Sequence, residues 1–249
     1  SQLVKELEPG LNALFGLEHG RYENQHTEIF DTENSDRAFE EEVMLSGFGQ
    51  AKVKAEGQAV DYDDAQETFT ARYTHETIAL AFAITEEAVE DNLYDKVSSR
   101  YTKALARSMA ITKQTKGANV LNRGFNSSYT GGDAKELLAT DHPTIGGDVK
   151  NELTTAADLN ETSLEQALID IAGMKDERGL KIAVNGVKMI IPVNLQFTAE
   201  RLMKSPGRVG TADNDINAHK SMGMIPQGYV VNNYLTDTDA FFIQTDAPN

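Results

Sequence analysis

The 249-residue chain contains no cysteine. This absence excludes a disulfide framework and thiolate zinc sites, and it fits a reducing cytoplasm or indifference to redox state. No run of residues approaches the roughly 18 apolar residues of a membrane-spanning helix, and residues 1–30 lack the basic and then apolar pattern of a signal peptide. Because 40% of the residues are hydrophobic, the chain can still bury a substantial core.

Positive charge is also scarce, and it is concentrated in one place. The net charge is −16; residues 1–95 carry 22 acidic and 6 basic side chains, whereas residues 96–123 carry 7 basic and none acidic. Phosphate binding needs clustered Lys and Arg, so an acidic chain of this kind is a poor candidate for wrapping DNA. It can enclose DNA without binding tightly to it.

Motifs of catalysis are absent. The sequence has no P-loop, G-x-G-x-x-G, G-x-S-x-G or H-E-x-x-H pattern. Residues 213–224 imitate the start of an EF-hand, but Ala218 and Met224 stand where calcium binding needs a turn glycine and a bidentate Glu. The five histidines lack ligand spacing, which favours ordinary polar roles: His19, His26, His75, His142 and His219. We therefore expect no enzyme activity, no cofactor and no metal.

Two consecutive elements are predicted to be too long for a compact domain. Residues 68–84 contain neither Gly nor Pro, and as one strand they would extend about 56 Å. Residues 86–123 have a helical pattern that would extend about 57 Å. A globule of this chain length has a diameter of roughly 45 Å. At least one of the two elements must therefore project from the body.

Residues 1–46 resemble an extended arm with short helical pieces, and residues 47–76 a hairpin with long arms. Residues 51–55 alternate small apolar and charged side chains, Asp61 to Asp64 give a turn signal, and residues 69–76 alternate again. A lone two-stranded hairpin is marginal in water, so we expect this one to pack on another subunit. The apolar positions then change parity near Glu76 and Thr77, which predicts a bulge.

The long helix is predicted over residues 85–124, with Thr85 as N-cap and Gly124 at its end. Its apolar side chains recur every four residues, so their stripe winds about 200° around the helix, and we expect partners on several sides. Gly117 is a candidate bend. The stripe comprises Val89, Leu93, Val97, Tyr101, Leu105 and Met109.

Residues 126–158 are rich in Gly, Ser, Thr and Asp and are predicted to be loop. An α+β unit follows, with a helix over residues 162–178 and a hairpin over residues 180–191 that turns at Asn185-Gly186. We then expect a short helix over residues 195–204 capped by Asn194. The last predicted elements are an exposed loop over 207–223 and strands over 229–235 and 240–244.

This order of parts resembles the tailed-phage major capsid proteins of the Hong Kong 97 type. The amino-acid sequences of several segments also resemble those of this family: residues 34–42 (NSDRAFEEE), 46–49 (SGFG), 72–77 (RYTHET), 84–87 (ITEE), 139–143 (ATDHP) and 224–229 (MIPQGY). The resemblance covers essentially the whole chain and implies an α+β fold of the Hong Kong 97-like kind.

The resemblance also implies a role for each segment. Residues 1–46 correspond to the N-terminal arm, 47–76 to the extended loop, 77–158 to the peripheral domain with its spine helix at 85–124, and 159–249 to the axial domain. In the family the chain returns to complete the peripheral domain, so we expect a C-terminal portion to be missing here. Some relatives join subunits by a Lys to Asn isopeptide bond, but no partner Asn or catalytic Glu matches, and we expect no crosslink.

The implied function is a virion shell protein that assembles with itself, as hexamers and pentamers, in the host bacterial cytoplasm and encloses double-stranded DNA. Its implied partners are scaffolding, portal and decoration proteins, with no sequence-specific DNA binding and no membrane. An encapsulin-like compartment shell is the alternative within the same fold; an acid-rich hydrolase and a monomeric binding module stay open from other classes. Expected inter-subunit contacts are Phe48, Lys52, Lys54, Asp61, Tyr62, Phe69, Arg72 and Tyr73.

Overall fold

The structure is a computed structural model that describes residues 2–83, 94–208 and 215–247. The chain folds into two compact units. The first comprises residues 1–33 and 75–118, and the second comprises residues 34–74 and 119–249. Because the second unit takes residues from both sides of the first, the chain passes between the units more than once.

Two helices dominate the first unit. Helix α1 spans Gln2–His19, a 3-10 turn follows at Gln25–Glu28, and the described part of helix α2 spans Tyr94–Asn122, with its last turn in the second unit. The 18-residue length of α1 corrects the expectation of short helical pieces. The predicted N-cap Thr85 and the acidic residues after it lie outside the described residues.

The most buried row of α2 does not coincide with the predicted apolar stripe: Val97, Leu105 and Met109 of the stripe are half-buried, and Tyr101 is 48% exposed. Small and polar side chains form the buried row instead, because they let other backbone segments approach the helix closely: Ser98, Thr102, Ala106, Ala110, Gln114 and Ala118. Gly117 serves the same purpose and does not end the helix; a Cβ there would lie 3.0 Å from that of His26. The backbone N–H of His26 donates to Gln114 Oε1 at 2.9 Å.

The hairpin of the second unit is a two-stranded antiparallel ribbon. Strand β1 spans Phe39–Leu45 and strand β2 spans Glu67–Thr74. The return arm was therefore predicted correctly, but its partner is β1, which was assigned to the arm, and residues 51–55 form no strand. The predicted long strand is also wrong, because β2 ends at Thr74 and residues 75–83 form none.

Helix α3 spans Glu161–Ala172 and begins at a capping box. Asn160 Oδ1 accepts from the Ser163 backbone N–H at 2.9 Å, and the Ser163 hydroxyl accepts from the Asn160 N–H at 3.0 Å. The helix ends at Ala172, six residues before the predicted end at residue 178, and Gly173 follows as its C-cap. Residues 126–158 contain only isolated bridges, which confirms the predicted loop.

A three-stranded sheet packs against α3. Its central strand β3, Gly186–Ile191, pairs in parallel with β4, Tyr229–Val231, and antiparallel with β5, Phe242–Thr245. The predicted hairpin at Asn185-Gly186 is wrong. Asn185 instead donates its backbone N–H to Asp246 Oδ1 at 2.6 Å, and a Cβ at Gly186 would lie 2.9 Å from side-chain atoms of Leu168 and Ile243. This glycine permits close packing of helix on sheet.

Two further helices complete the second unit. Helix α4, Gln196–Lys204, follows a 3-10 turn at Val193–Leu195, and Asn194 does not cap it. Helix α5, Ala218–Met222, lies inside the predicted loop and is capped by Asn217. The core of the unit comprises Leu159, Leu164, Leu168, Met189, Ile191, Ala199, Leu202 and Ile225.

Two leucine-sized positions on α3 provide a test of this core. Leu164 is fully buried, whereas Ile169 is 63% exposed. We expect Leu164→Ala to lower the free energy of unfolding by about 2–5 kcal/mol, because it removes packed atoms and leaves a cavity. Ile169→Ala is the matched control and should change it by less than about 0.5 kcal/mol. Equal effects of the two substitutions in urea unfolding would contradict the assigned face of α3.

Candidate assembly surface

The β1–β2 ribbon has a defined register but little burial of its own. Phe39 lies opposite Thr74 and Glu41 opposite Arg72, with an irregularity between Val43 and Leu45. Arg72 donates to Glu41 Oε1 at 2.5 Å, and its guanidinium lies 4.5 Å from the ring centre of Phe39. Opposite charges across the strands make the acidic β1 sequence compatible with a strand.

The ribbon is supported from one side by the glycine-rich loop of residues 126–158. A Cβ on Gly132 would lie 2.8 Å from the carbonyl oxygen of Thr70 in β2, so the backbones approach more closely than any larger residue allows. A lone two-stranded ribbon is marginal in water, and this contact supplies part of its support. Exposed residues on the ribbon still include Val43, Met44, Leu45 and Tyr73.

At the base of the hairpin, one serine closes the ribbon. The backbone N–H of Ser46 donates to the Gln66 carbonyl at 2.8 Å, and the Ser46 hydroxyl accepts from the Gln66 N–H at 2.9 Å. Ser46 is buried, in contrast to its neighbours Leu45 and Gly47. These reciprocal hydrogen bonds fix the point at which the chain leaves the ribbon.

An ion pair ties the loop to the turn after α3. Arg178 Nη2 donates to both carboxylate oxygens of Asp63, at 2.6 and 2.8 Å, and the Gly49 N–H donates to the same carboxylate at 2.7 Å. The Gly49 and Arg178 hydrogen bonds lower the pKa of Asp63 below its ordinary value. The carboxylate therefore stays charged even at a pH below the usual carboxyl pKa, and the tether is lost only as the pH falls through the lower folded value.

The turn that carries Arg178 is itself held in place. The Gly146 N–H donates to the Glu177 carbonyl at 2.7 Å, and a Cβ on Gly146 would lie 2.5 Å from the Gly179 backbone nitrogen. Asp176 Oδ1 accepts from the N–H groups of Arg178 and Leu180 at 3.0 and 2.7 Å. The cation that tethers the loop thus projects from a turn fixed by backbone packing.

Beyond these anchors, the loop is open to solvent. Every residue from 50 to 67 is exposed, with Val53 at 100% and Tyr62 at 93%. The Lys52 ammonium lies 2.9 Å from Asp61 Oδ2, and both side chains are largely exposed, so this pair contributes only about 0–1 kcal/mol. The loop combines anchored ends with an apolar tip that nothing in its own unit covers.

The structure places the expected contact residues in two groups. Phe48, Lys52, Lys54, Asp61 and Tyr62 lie in the exposed loop, while Phe69, Arg72 and Tyr73 lie on β2. Phe69 is half-buried, and Arg72 is engaged with Phe39 and Glu41. The whole set thus follows one ribbon and its loop.

Sequence reasoning missed the anchors of this surface. Arg178 is 115 residues from Asp63, so no local pattern connects them. Asp63 was interpreted as part of a solvated turn, and only an exposed Gly-rich segment followed by a charged turn hints that a tether is present. Ser46 and Gly132 carry a weaker signal still, since both look like ordinary loop residues.

Several candidate metal and acid–base residues of the sequence have structural partners in the part of the chain that the structure describes. No group of three metal-ligating side chains is found among the described residues. Asn217 of the EF-hand-like segment is buried and donates to the Leu202 carbonyl at 2.7 Å while capping α5, and Asp213 lies outside the described residues. Asp133 lies 2.6 Å from His142 Nδ1; burial acts to raise its pKa, but the His142 and backbone hydrogen bonds outweigh this and lower it.

The fold is that of phage capsid proteins. The "Procapsid of bacteriophage JBD30" is 12% identical, with 94% of this chain and 99% of that chain covered and a TM-score of 0.62. The "Bacteriophage JBD30 capsid" is 11% identical, with coverages of 81% and 88% and a TM-score of 0.60. The JBD30 capsid decorated with minor capsid protein trimers is 11% identical, with coverages of 86% and 95% and a TM-score of 0.59.

The family model for phage capsid protein matches residues 67–249, most of the chain, and the chain therefore belongs to the phage capsid protein family. No curated protein matches the sequence. The prediction of a phage head shell protein is confirmed, and its location is the virion. These matches give no support to the encapsulin-like alternative over the phage shell. Among the described helices, none has the length and apolar character needed to span a membrane.

The Arg178 tether can be tested in the unassembled subunit. We expect Arg178→Ala to increase the rate of tryptic cleavage after Lys52 and Lys54, because Asp63 loses its cation and the base of the loop opens more often. Lys181→Ala, an exposed position three residues away, is the control and should leave the rate unchanged. Unchanged cleavage in both variants would contradict an anchoring role for Arg178.

Proposed function

We propose that this phage capsid protein builds its shell in the Hong Kong 97-like manner, as hexamers and pentamers of one subunit. In this proposal residues 1–46 act as the N-terminal arm and 47–76 as the extended loop. Residues 77–158 form the peripheral domain with the spine helix at 85–124, and residues 159–249 form the axial domain. Strand β1 belongs functionally with the extended loop, because it is the partner of β2.

The observation that carries this proposal is the anchored but uncovered loop of residues 47–66. Its apolar side chains are solvent-exposed in the subunit: Phe48, Val53, Val60 and Tyr62. Fully burying a Val or Phe side chain contributes about 1.5–3 kcal/mol. A neighbouring copy can supply the surface that this subunit lacks, and the tether at Asp63 sets where the loop leaves its own subunit.

Exposed apolar side chains elsewhere in the second unit support further contacts between copies. Ile169 on α3, Phe197 on α4 and Met222 on α5 are all largely exposed. All three lie in the proposed axial domain, where subunits of a hexamer or pentamer would meet. Clusters of exposed apolar residues are typical of interaction sites.

The shell has a passive role towards its contents in this proposal. The net charge of −16 limits binding of the enclosed double-stranded DNA. No cluster of metal ligands occurs among the described residues, and the family is that of phage capsid proteins, which supports a structural role. The related JBD30 shell carries minor capsid protein trimers. By analogy, we include a minor or decoration protein, a scaffold and a portal among the partners of this subunit.

Replacing residues 51–60 by Gly-Gly tests the extended loop directly. The backbone of Gly49 is hydrogen-bonded to Asp63, so a short turn can close the shortened hairpin. We expect a folded subunit with unchanged cooperative unfolding that no longer forms closed shells in electron microscopy. Closed shells of normal size from this variant would contradict the proposal.

A point substitution separates assembly from folding more finely. Val53→Ser should change the free energy of unfolding of the subunit by less than about 0.5 kcal/mol, since Val53 is fully exposed. Shell yield should nevertheless fall, because the contact is repeated in every copy. Gln58→Ser, also exposed in the same loop, is the matched control and should assemble normally; an equal loss of yield would argue against an apolar contact at Val53.

A further inference from the structure

Helices α1 and α2 border an open groove in the first unit, with a volume of about 600 Å³. Its lining contains three cations and a single carboxylate: Arg21, Lys103, Arg107 and Glu18. The hydroxyl groups of Tyr22 and Ser108 also line it. This composition contrasts with the strongly acidic chain as a whole.

The carboxylate in the groove organises two of the cations. Glu18 is buried, and its Oε1 lies 2.8 Å from Arg21 Nη1 and 3.9 Å from Lys103 Nζ. A buried carboxylate is stable only when its charge is compensated, so Glu18 keeps both cations at the groove. Both cationic side chains are at least half exposed and can still contact a ligand.

The remaining cations form a row on α2. Arg100, Lys103 and Arg107 are separated by three and four residues, which places them within about 60° of one another and along about 10.5 Å of helix. No ion pair joins Arg100 or Arg107 to a described residue.

We propose that this groove binds the phosphate backbone of nucleic acid, in addition to the shell-forming role on which the inference rests. Guanidinium groups match phosphate oxygens in geometry, and side-chain hydroxyls donate to them as well. With Arg100 included, the site has four positive charges and one negative charge, so about three positive charges remain to bind phosphates. The groove then binds the enclosed DNA locally, although the net negative charge of the chain repels DNA elsewhere.

An acidic protein segment is the rival occupant, since carboxylates also bind Arg. Phosphates are favoured because a shell that encloses a genome holds phosphates at very high local concentration. The proposal requires the groove to face the enclosed space.

Fluorescence anisotropy of soluble full-length subunits with a labelled 20-base-pair duplex of arbitrary sequence tests the inference. With about three phosphate contacts, the logarithm of the binding constant should fall against the logarithm of salt concentration with a slope of about −2.7. Arg107→Ala should make the slope shallower by about 0.9 and weaken binding about tenfold near 50 mM salt.

Lys113→Ala is the matched control, because Lys113 is exposed on the same helix but lies about 120° around it from Arg107. Its slope should equal that of the unmodified chain. Shell formation by Arg107→Ala, followed by electron microscopy, should be normal, which separates this inference from the proposed assembly. Equal loss of DNA binding in both variants, or no loss in either, would overturn it. If Arg107→Ala abolished shell assembly but left DNA binding unchanged, the inference would also be overturned, and an acidic protein segment would be indicated as the occupant.

Discussion

The constraint on which this architecture depends is that the apolar side chains of residues 47–66 stay exposed in the single subunit. The ribbon of β1 and β2 has only two strands, and the loop beyond it has no regular structure. Two-stranded ribbons are marginally stable alone. The hydrophobic effect therefore favours association of the loop with a surface that can cover its apolar side chains.

The hydrogen bonds at the base of the loop fix where the loop leaves its own subunit. The Asp63 carboxylate is held by Gly49 and Arg178, and the Arg178 turn packs backbone to backbone on Gly146. A loop tethered only at its base keeps a defined exit while its tip adapts to a neighbour. The proposed shell of hexamers and pentamers would need such adaptability, because the same loop would serve slightly different angles between subunits.

The sequence predicted the elements whose signals are local and missed those decided by distant partners. Residues 69–73 alternate clearly, and β2 was found. The acidic residues Glu40 to Glu42 fell in the predicted arm, and β1 was missed because Arg72 compensates Glu41 from across the ribbon. Asn185-Gly186 looked like a hairpin turn, yet Gly186 is required by the side chains of Leu168 and Ile243. The apolar stripe of the long helix did not reveal its most buried row, because close packing selected small residues there. The segments that resemble phage capsid proteins were sufficient to predict the function. The ion pair between Asp63 and Arg178 was not predictable, because the two residues are 115 positions apart.

Hydrogen exchange of the loop in free and assembled subunits tests the central claim most directly. If neighbouring copies supply the missing surface, backbone amides of residues 50–60 will exchange rapidly in the soluble subunit and become strongly protected in the closed shell. The amide of Gly49, already bonded to Asp63, should be slower than these in both states. Equally rapid exchange of residues 50–60 in the subunit and in the shell would show that the loop stays in solvent after assembly, and it would contradict the account.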